Sequence, residues 1–321
     1  MGCSDMKMRV SAPSRLHFGI IDMRGDIGRL HGSAGVAIET PRLVFEVEDA
    51  GETVITGARS GRAQVIIDKV LRDHGVNGGV HLDVQSDIPE HMGFGSGTQL
   101  SIALGTALNS LFDLGMSYEE IVVGLGRGRR SGIGTHSFLH GGFIVDGGHA
   151  VDAPETIPPL IHRSEVPDDW FFVVCAPEIN SGFSGKKESD AFKNLEPPPV
   201  DMIARVSRLV LMQMIPSILE KNIALFGDAV TKLDTIFGDY WATMQGGTYS
   251  HPRIESCVNH MLQHGAYGAG QSSWGPALYG LVDGKAQARE LSDEMDQFIN
   301  EGENSGTVFI TGADNKGAQI S

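Results

Sequence analysis

The feature that most constrains this chain is a glycine-rich loop that runs directly into an apolar, helix-forming segment. Residues 89–105 read PEHMGFGSGTQLSIALG, with three alternating glycines ahead of a run that contains leucine and alanine. Glycine lets backbone N–H groups approach an anion closely, and the amino end of a helix favours negative charge. The segment therefore predicts a phosphate-binding loop formed by Gly93, Gly95, Ser96, Gly97 and Thr98.

Two common phosphate motifs do not fit this loop. No Gly-Lys-Ser/Thr follows at the spacing of a P-loop, and the third glycine falls one place too early for the dinucleotide pattern G-x-G-x-x-G. A helix amino end with glycine for turn geometry alone is the simpler alternative. The length of the loop, its two hydroxyl groups and the helix behind it favour phosphate binding.

Charge and composition limit the partners of the chain. Its 321 residues carry a formal net charge of −15, which disfavours a general nucleic-acid surface. Two basic islands, GRGRR at 126–130 and GKK at 185–187, suit a small polyanionic substrate. No signal-peptide core, no apolar run of membrane-spanning length and no paired cysteines are evident. A cytoplasmic protein without nucleic-acid or membrane partners is expected.

Hydrophobic periodicity predicts a mixture of strands and helices without strict alternation, an α+β fold in two domains. A proline-rich bridge places the boundary near residue 165, between domains 1–165 and 166–321. Predicted strands cover 7–12, 42–50, 79–86, 141–148, 170–177 and 306–312, the first ending at Pro13. Predicted helices cover 63–75, 98–112, a segment from 117, stretches around 200–238, 252–264 and 286–300. A second glycine-rich loop is predicted at 265–284.

Three motifs, in this order along the chain, resemble those of the GHMP small-molecule kinase superfamily. They are SAPSRLHFGIID (11–22), PEHMGFGSGTQL (89–100) and GAYGAGQSSWGPALYG (265–280). The resemblance implies an N-terminal domain like domain 2 of ribosomal protein S5 and a ferredoxin-like C-terminal domain. It also implies that the glycine loop lies between them, with Ser272 and Ser273 near phosphate.

At two positions the chain departs from the kinases of this superfamily. Their loop usually carries a second serine that reaches the metal, whereas this chain has Gly97 there and only Thr98 to substitute. Many of them carry S-G-I-D, whose aspartate activates the acceptor hydroxyl, whereas this chain reads SGIG and has Gly134. The missing carboxylate favours chemistry other than phosphoryl transfer.

Two longer segments resemble one branch, the β-ribofuranosylaminobenzene (or β-ribofuranosylphenol) 5′-phosphate synthases of tetrahydromethanopterin biosynthesis. They are SRLHFGIIDMRGDIGRLHGSAGVAI (14–38) and GRGRRSGIGTHSFLHGGFIVDGG (126–148). The resemblance implies a decarboxylating phosphoribosyltransferase that condenses phosphoribosyl pyrophosphate with 4-hydroxybenzoate or 4-aminobenzoate. Mg²⁺ and a homodimer are also implied. The alternatives are an ATP-dependent GHMP-type kinase with another base, and a binding module that kept only the fold.

The residue types suggest roles for individual side chains. Arg15 and His17 would share one face of an extended strand, as catalytic candidates. His17 either accepts the phenol proton or forms a hydrogen bond in the core. Thr98 and Asp22 are candidate metal ligands, although Asp22 also suits a turn. Candidates for binding carboxylate or phosphate are Arg24, Arg127, Arg130 and Lys186; a solvated helix end and an exposed loop are the alternatives for the GRGRR and GKK segments.

Overall fold

A computed structural model describes residues 7–179, 196–302 and 305–321. Its first sheet is built on two long antiparallel strands, β1 (Lys7–Asp22) and β2 (Arg29–Ala50). The other strands of this sheet are β3 (Val54–Gly57), β4 (Gly79–Ser86), β5 (Phe143–Asp146), β6 (His149–Ala150), β7 (Leu160–Ser164) and β12 (Gln319–Ile320). The main path runs β12-β1-β2-β4-β3, while β5 and β6 pair with β2, and β7 pairs with β5.

The helices of the first half cover this sheet. They are α1 (Ser60–Asp73), α2 (Ser96–Leu111), α3 (Tyr118–Gly124) and α4 (Ile133–His140). Helix α2 is buried along most of its length because its side chains are small or apolar. The Ser117 and Glu120 capping box predicted for α3 is present.

The second sheet has ferredoxin-like topology. Its strands are β8 (Trp170–Pro177), β9 (Gly268–Gln271), β10 (Leu278–Asp283) and β11 (Gly306–Gly312), all paired antiparallel in the order β11-β8-β10-β9. Counted within this sheet the order is 4-1-3-2, with helical segments after the first and third strands, as in the split βαβ arrangement. The two sheets and their helices confirm the α+β prediction.

The helices of the second half include one long apolar run. They are α5 (Val200–Leu209), a π-helical turn (Val210–Met214), α6 (Ile215–Leu219), α7 (Ile223–Gln245), α8 (Pro252–Gln263) and α9 (Gly284–Ile299). By length and composition alone, the run Val200–Leu219 is sufficient to cross a membrane, and 39% of its most apolar window is buried. Core helices of soluble proteins pass the same test, so the run is weak evidence for a membrane span.

One aromatic core joins the two halves. The ring of Phe18, on β1, lies 5.3 Å from that of Tyr279, on β10, and 6.2 Å from that of Phe226, on α7. The chain end also returns to the first sheet, where Ile320 pairs with Val10. The predicted boundary near residue 165 falls between β7 and β8, but residues from both sides of it form the same core.

The structure corrects two predictions about strands. Strand β1 does not end at Pro13 but continues to Asp22, with a register shift between Pro13 and Ser14; proline is tolerated at such irregularities. The stretch 265–284, predicted as a loop, is largely the β9–β10 hairpin. A Cβ on Gly268 would collide with Gly227 of α7, so glycine is needed there for the strand to approach the helix.

Candidate active site

The glycine-rich loop reaches the amino end of α2 through two residues in the left-handed region. Gly93 and Gly95 have φ angles of +93° and +76°. A Cβ on Gly93 would collide with the carbonyl oxygen of Ser272, and one on Gly95 would lie 3.2 Å from the side chain of Arg15. Gly95 is the N-cap residue and has no side chain to accept a hydrogen bond. The N–H groups of Thr98 and Gln99 donate to the carbonyl oxygen of Gly95. Those of Ser96 and Gly97 have no backbone acceptor among the described residues and are available to an anion.

The two hydroxyl residues of the loop differ in placement. Ser96 is buried at the first position of α2, whereas Thr98 lies on the wall of a cavity. A Cβ on Gly134 would lie 3.1 Å from Cγ2 of Thr98. A carboxylate side chain at residue 134 would therefore crowd Thr98, so packing as well as sequence disfavours the kinase aspartate.

Two arginines lie over the amino end of α2. A Cβ on Gly97 would lie 3.1 Å from Nη2 of Arg62 and 3.6 Å from Nη1 of Arg127. Burial, followed by the charges of Arg62 and Arg129, lowers the pKa of Arg127. The Nε atom of Arg127 is buried without a hydrogen-bond partner among the residues that the structure describes. Adjacent cations with an unused donor, at a helix amino end, suit a phosphate group.

The basic island at 126–130 forms a turn beside this cluster. Gly126 and Gly128 have positive φ angles, and Arg127, Arg129 and Arg130 all line the cavity. Arg129 also forms a 3.1 Å ion pair with Glu155, and both of these side chains are largely exposed. The solvated alternative therefore describes Arg129 best, while Arg127 is directed to the amino end of α2.

Arg15 and His17 also line the cavity, from β1. Arg15 donates a hydrogen bond to the carbonyl oxygen of Gly93. Burial, together with the nearby charge of Arg15, lowers the pKa of His17 to about 3. The imidazole of His17 is therefore neutral at ordinary pH and a weak proton acceptor.

Ser272 and Ser273 connect the tip of the β9–β10 hairpin to β1. The hydroxyl of Ser272 donates to the carbonyl oxygen of Gly93 over 2.7 Å and accepts from the N–H of His17 over 3.0 Å. Ser272 is fully buried, so it joins three segments rather than facing the cavity. Ser273 donates its N–H to the carbonyl oxygen of His17 over 3.3 Å and lies on the cavity wall.

The end of the cavity formed with α7 has aromatic walls. The ring of Trp241 lies 4.9 Å from that of Trp274 at an interplanar angle of 74°. Three further aromatic residues line this end: Phe18, Phe237 and Tyr249. The whole cavity measures about 540 Å³, within the range of small-molecule sites.

A partly buried carboxyl group, that of Asp234 of α7, lies on the cavity wall beside Tyr249. Its Oδ2 atom accepts from the N–H of Gln271 over 3.2 Å, and Tyr249 donates to it as well. Burial raises the pKa of Asp234 to about 7, against the effect of these two hydrogen bonds. A group with this pKa can accept or return a proton near neutral pH.

The structure places two of the charged residues predicted for the site, Arg24 and Asp22, away from the cavity. Arg24 forms a 2.6 Å ion pair with Asp26 and donates to the carbonyl oxygen of Pro198. The Oδ1 atom of Asp22 accepts from the N–H of Arg24 over 2.6 Å, which is turn chemistry. Lys186 lies outside the described residues.

Other residues at the site were not found from sequence. Arg62 stands among the polar residues of an amphipathic helix, and Asp234 stands among those of α7, so nothing in the local pattern distinguishes either. Trp274 was detectable, because it follows Ser272 and Ser273 within the third motif. Each of the other two residues reaches the site only through the packing of its helix.

Comparison with known families agrees with this geometry. The family model described as GHMP kinases N terminal domain matches residues 62–142, and GHMP kinases C terminal matches residues 214–313. Among solved structures, homoserine kinase from Cytophaga hutchinsonii resembles the chain with a TM-score of 0.73 at 16% identity, covering 100% of this chain and 99% of that one. At that identity the likeness establishes the fold alone.

Two archaeal relatives match nearly the whole chain. The β-ribofuranosylphenol 5′-phosphate synthase of Methanothermobacter thermautotrophicus is 33% identical and covers 98% of each chain. The protein of the same name from Methanocaldococcus jannaschii is also 33% identical, over 98% of this chain and 100% of its own length. The match extends through both halves of the cavity.

Proposed function

Because the chain belongs to the GHMP kinase superfamily and, within it, to the β-ribofuranosylphenol 5′-phosphate synthases, we propose that its cavity condenses phosphoribosyl pyrophosphate with 4-hydroxybenzoate or 4-aminobenzoate. The activity of the family is that of a synthase of pentosyltransferase type, and a kinase is a weaker fit. The pathway served would be tetrahydromethanopterin biosynthesis. The observation that carries the proposal is one cavity whose wall combines arginines and Thr98 of α2 with aromatic residues and Asp234.

The proposed reaction breaks one bond at C1′ of the ribose and one bond at the aromatic ring, and it forms one bond between the ribose and the ring. The bond from C1′ to pyrophosphate breaks, and its electron pair leaves with pyrophosphate. The ring carbon that carries the carboxylate forms a bond to C1′. The bond from that carbon to the carboxylate then breaks, CO2 leaves, and the electron pair restores the aromatic ring.

The basic end of the cavity suits the donor. Departure of pyrophosphate leaves positive charge on the ribose and negative charge on the leaving group, so the site must stabilise the leaving anion. Arg62 and Arg127 lie beside Gly97 at the amino end of α2, where that anion would bind. Arg15 and Arg130, also on the cavity wall, are then placed for the carboxylate of the acceptor.

The aromatic end suits the acceptor ring. With its carboxylate-bearing carbon directed to C1′, the ring directs its hydroxyl or amino group away from the donor, towards the end formed by Trp241, Trp274 and Asp234. Removal of the hydroxyl proton pushes electrons to the para carbon that attacks. Asp234, with a pKa of about 7, suits this transfer better than His17, whose pKa is about 3. We therefore assign the proton to Asp234 and a positioning role to His17.

We propose that Mg²⁺ enters the cavity bound to the pyrophosphate of the donor. Mg²⁺ is usually held by one or two carboxylates together with substrate phosphates. Asp234 is the only carboxylate among the described residues that line the cavity, and it lies at the aromatic end. The phosphate end therefore does not fit an ion held by protein carboxylates. The hydroxyl group of Thr98 is placed to contact an ion that enters with pyrophosphate. That ion would neutralise negative charge on the pyrophosphate.

The test measures the release of CO2 and the release of pyrophosphate in the same reaction. The protein should release labelled CO2 and pyrophosphate in equal amounts when it is incubated with phosphoribosyl pyrophosphate and carboxyl-labelled 4-hydroxybenzoate. When either substrate is omitted, it should release neither product. 4-Aminobenzoate in place of the phenol identifies the preferred acceptor. An ATP-dependent phosphorylated product, formed without consumption of the ribose donor, would instead establish the kinase alternative. Binding of donor and acceptor without turnover would establish the binding module.

A homodimer is the remaining part of the proposal, and one exposed apolar surface is available for it. Leu211, Met212 and Leu219, on the run of helix that begins with α5, are 63%, 66% and 61% exposed. Large apolar side chains grouped on one surface are typical of protein interfaces. We propose that a second copy of the chain covers them.

A further inference from the structure

A cluster of potential metal ligands lies in the second half of the chain, apart from the cavity. His260 is in the last turn of α8, His264 is the residue that caps its carboxyl end, and Glu294 is on the neighbouring helix α9. Histidines four residues apart lie on one face of a helix, the spacing by which helical metal sites present two imidazoles. None of the three lines the cavity.

The ligand atoms converge at the scale of a metal coordination shell. Nε2 of His260 lies 2.8 Å and Nε2 of His264 lies 3.6 Å from the same Oε1 atom of Glu294. One ligand atom from each residue lies within 4.8 Å of the others. Tetrahedral Zn²⁺ with bonds of about 2.0–2.1 Å separates its ligand atoms by roughly 3.3 Å. An ion would take the place of the contact between His260 and Glu294, so the carboxylate must withdraw and the two stacked imidazole rings must separate as it binds.

The surroundings hold both imidazoles in position. Nδ1 of His264 lies 2.8 Å from the carbonyl oxygen of His260, a contact that requires the proton on Nδ1 and leaves the lone pair on Nε2. Such a hydrogen bond to a backbone carbonyl is the usual way to orient a metal-binding histidine. The His260 ring stacks on Phe298, with centroids 3.9 Å apart and planes 11° from parallel. Both Nε2 atoms thus lie beside the same carboxylate before any ion arrives.

A simple ion pair between histidine and glutamate accounts for less of this geometry. The rings of His260 and His264 are stacked with centroids 4.0 Å apart. The ion pair needs one histidine, whereas Nε2 of a second one, His264, also lies 3.6 Å from the same carboxylate oxygen. Neutral imidazoles and a carboxylate are the forms that bind Zn²⁺.

We propose that His260, His264 and Glu294 bind a divalent transition-metal ion of the Zn²⁺ class, with water as the fourth ligand. The ion joins the end of α8 to α9. Since α8 leads directly into the β9–β10 hairpin, which brings Gln271 and Ser273 to the cavity, the ion stabilises the helix that positions one wall of the active site.

The experiment measures metal binding alone, on the full chain without a polyhistidine tag and after treatment with a chelator. Titration with Zn²⁺ in a calorimeter should give one equivalent per chain, and Zn²⁺ should raise the melting temperature. Co²⁺ in its place should give the visible absorption of a four-coordinate site. His264→Ala and Glu294→Gln should each weaken Zn²⁺ binding by roughly tenfold or more, by analogy with losses at metal sites.

His81→Ala is the matched control, because His81 is an exposed histidine that lies 3.5 Å from a single glutamate, Glu48. This variant should bind Zn²⁺ as the parent chain does. Equal binding by the His264→Ala and parent chains, or absence of a stoichiometric equivalent, would overturn the proposal. The measurement needs no substrate, so its outcome is separate from that of the synthase assay.

Discussion

The hydroxyl of Ser272 donates a hydrogen bond to the carbonyl oxygen of Gly93 over 2.7 Å, across 179 residues of sequence. The hydroxyl oxygen of Ser272 also accepts from the N–H of His17 over 3.0 Å, so one buried side chain connects β1, the glycine-rich loop and the tip of the β9–β10 hairpin. These three segments contain the three motifs that were recognised separately in the sequence. The part of the cavity beside the amino end of α2 is therefore assembled at the contact between the two halves of the chain.

Ser272→Ala should loosen this junction. Loss of a buried hydrogen bond costs on the order of 1 kcal/mol, and more when the remaining partner is left unpaired. We expect a lower melting temperature together with a lower kcat/KM, measured by calorimetry and by CO2 release. Ser256→Ala on the exposed side of α8 removes a similar hydroxyl and should change neither. A Ser272→Ala chain with parental stability and turnover would show that the junction is unimportant.

Arg127→Ala should weaken donor binding without destabilising the fold. Arg127 lies among other cations, which lower its pKa, and its Nε atom is buried without a described partner. Removal of one of several charge-assisted phosphate contacts should raise the KM for phosphoribosyl pyrophosphate roughly tenfold or more, since such bonds contribute about 1.5–3 kcal/mol. The melting temperature of the ligand-free chain should stay level or rise. Arg72→Ala, an exposed arginine of α1, should behave like the parent chain.

Asp234→Asn should abolish most of the turnover of 4-hydroxybenzoate, because the amide can still accept from Gln271 but cannot take up the phenol proton. In the parent chain the rate should fall as pH drops below about 7, where Asp234 becomes protonated. That fall should persist in the residual activity of His17→Asn, since the pKa of His17 is about 3. Asp228→Asn, an exposed change on the same helix, should leave the rate unaltered.

Asp234 also predicts a pH dependence of stability. Its pKa of about 7 lies above the ordinary value of 3.8, so the folded chain holds the proton more tightly than the unfolded chain does. The parent chain should lose stability relative to Asp234→Asn as pH rises from about 4 to 7, by at most on the order of 4 kcal/mol. Denaturant titrations of both chains at pH 5 and pH 8 measure the difference. A constant difference would contradict the raised pKa.

The exposed apolar surface predicts the oligomeric state. A Leu211→Glu and Met212→Glu double variant would place two charges on a surface that we propose to be covered by a second copy. Light scattering after gel filtration should find a dimer for the parent chain and a monomer for the variant. Val65→Glu, at a 68% exposed position of α1, should remain dimeric. A parent chain that is monomeric at high concentration would exclude this interface.

Local pattern was sufficient for the parts of the fold that depend on near neighbours. Ser117 and Glu120 predict the capping box of α3, which the structure contains. The glycines before α2 are needed because their φ angles are positive, and a Cβ on Gly93 would collide with the carbonyl oxygen of Ser272. The three motifs, read in order, also implied the superfamily, and the resemblance implied the synthase branch. Lys186 cannot be compared, because it lies outside the described residues.

Long-range packing decided the rest. Arg62 reaches the phosphate end because α1 packs beside α2, and Asp234 reaches the acceptor end because α7 lies against β9. Conversely, Arg24 and Asp22 had suitable side chains but are held in a turn by each other and by Asp26. The sequence by itself determined where a glycine-rich turn leads into a helix amino end, since glycine torsions and helix amino ends are local. Only the tertiary structure decided which charged side chains share the cavity, because burial and the distance between remote residues set both the pKa of Asp234 and the position of each arginine.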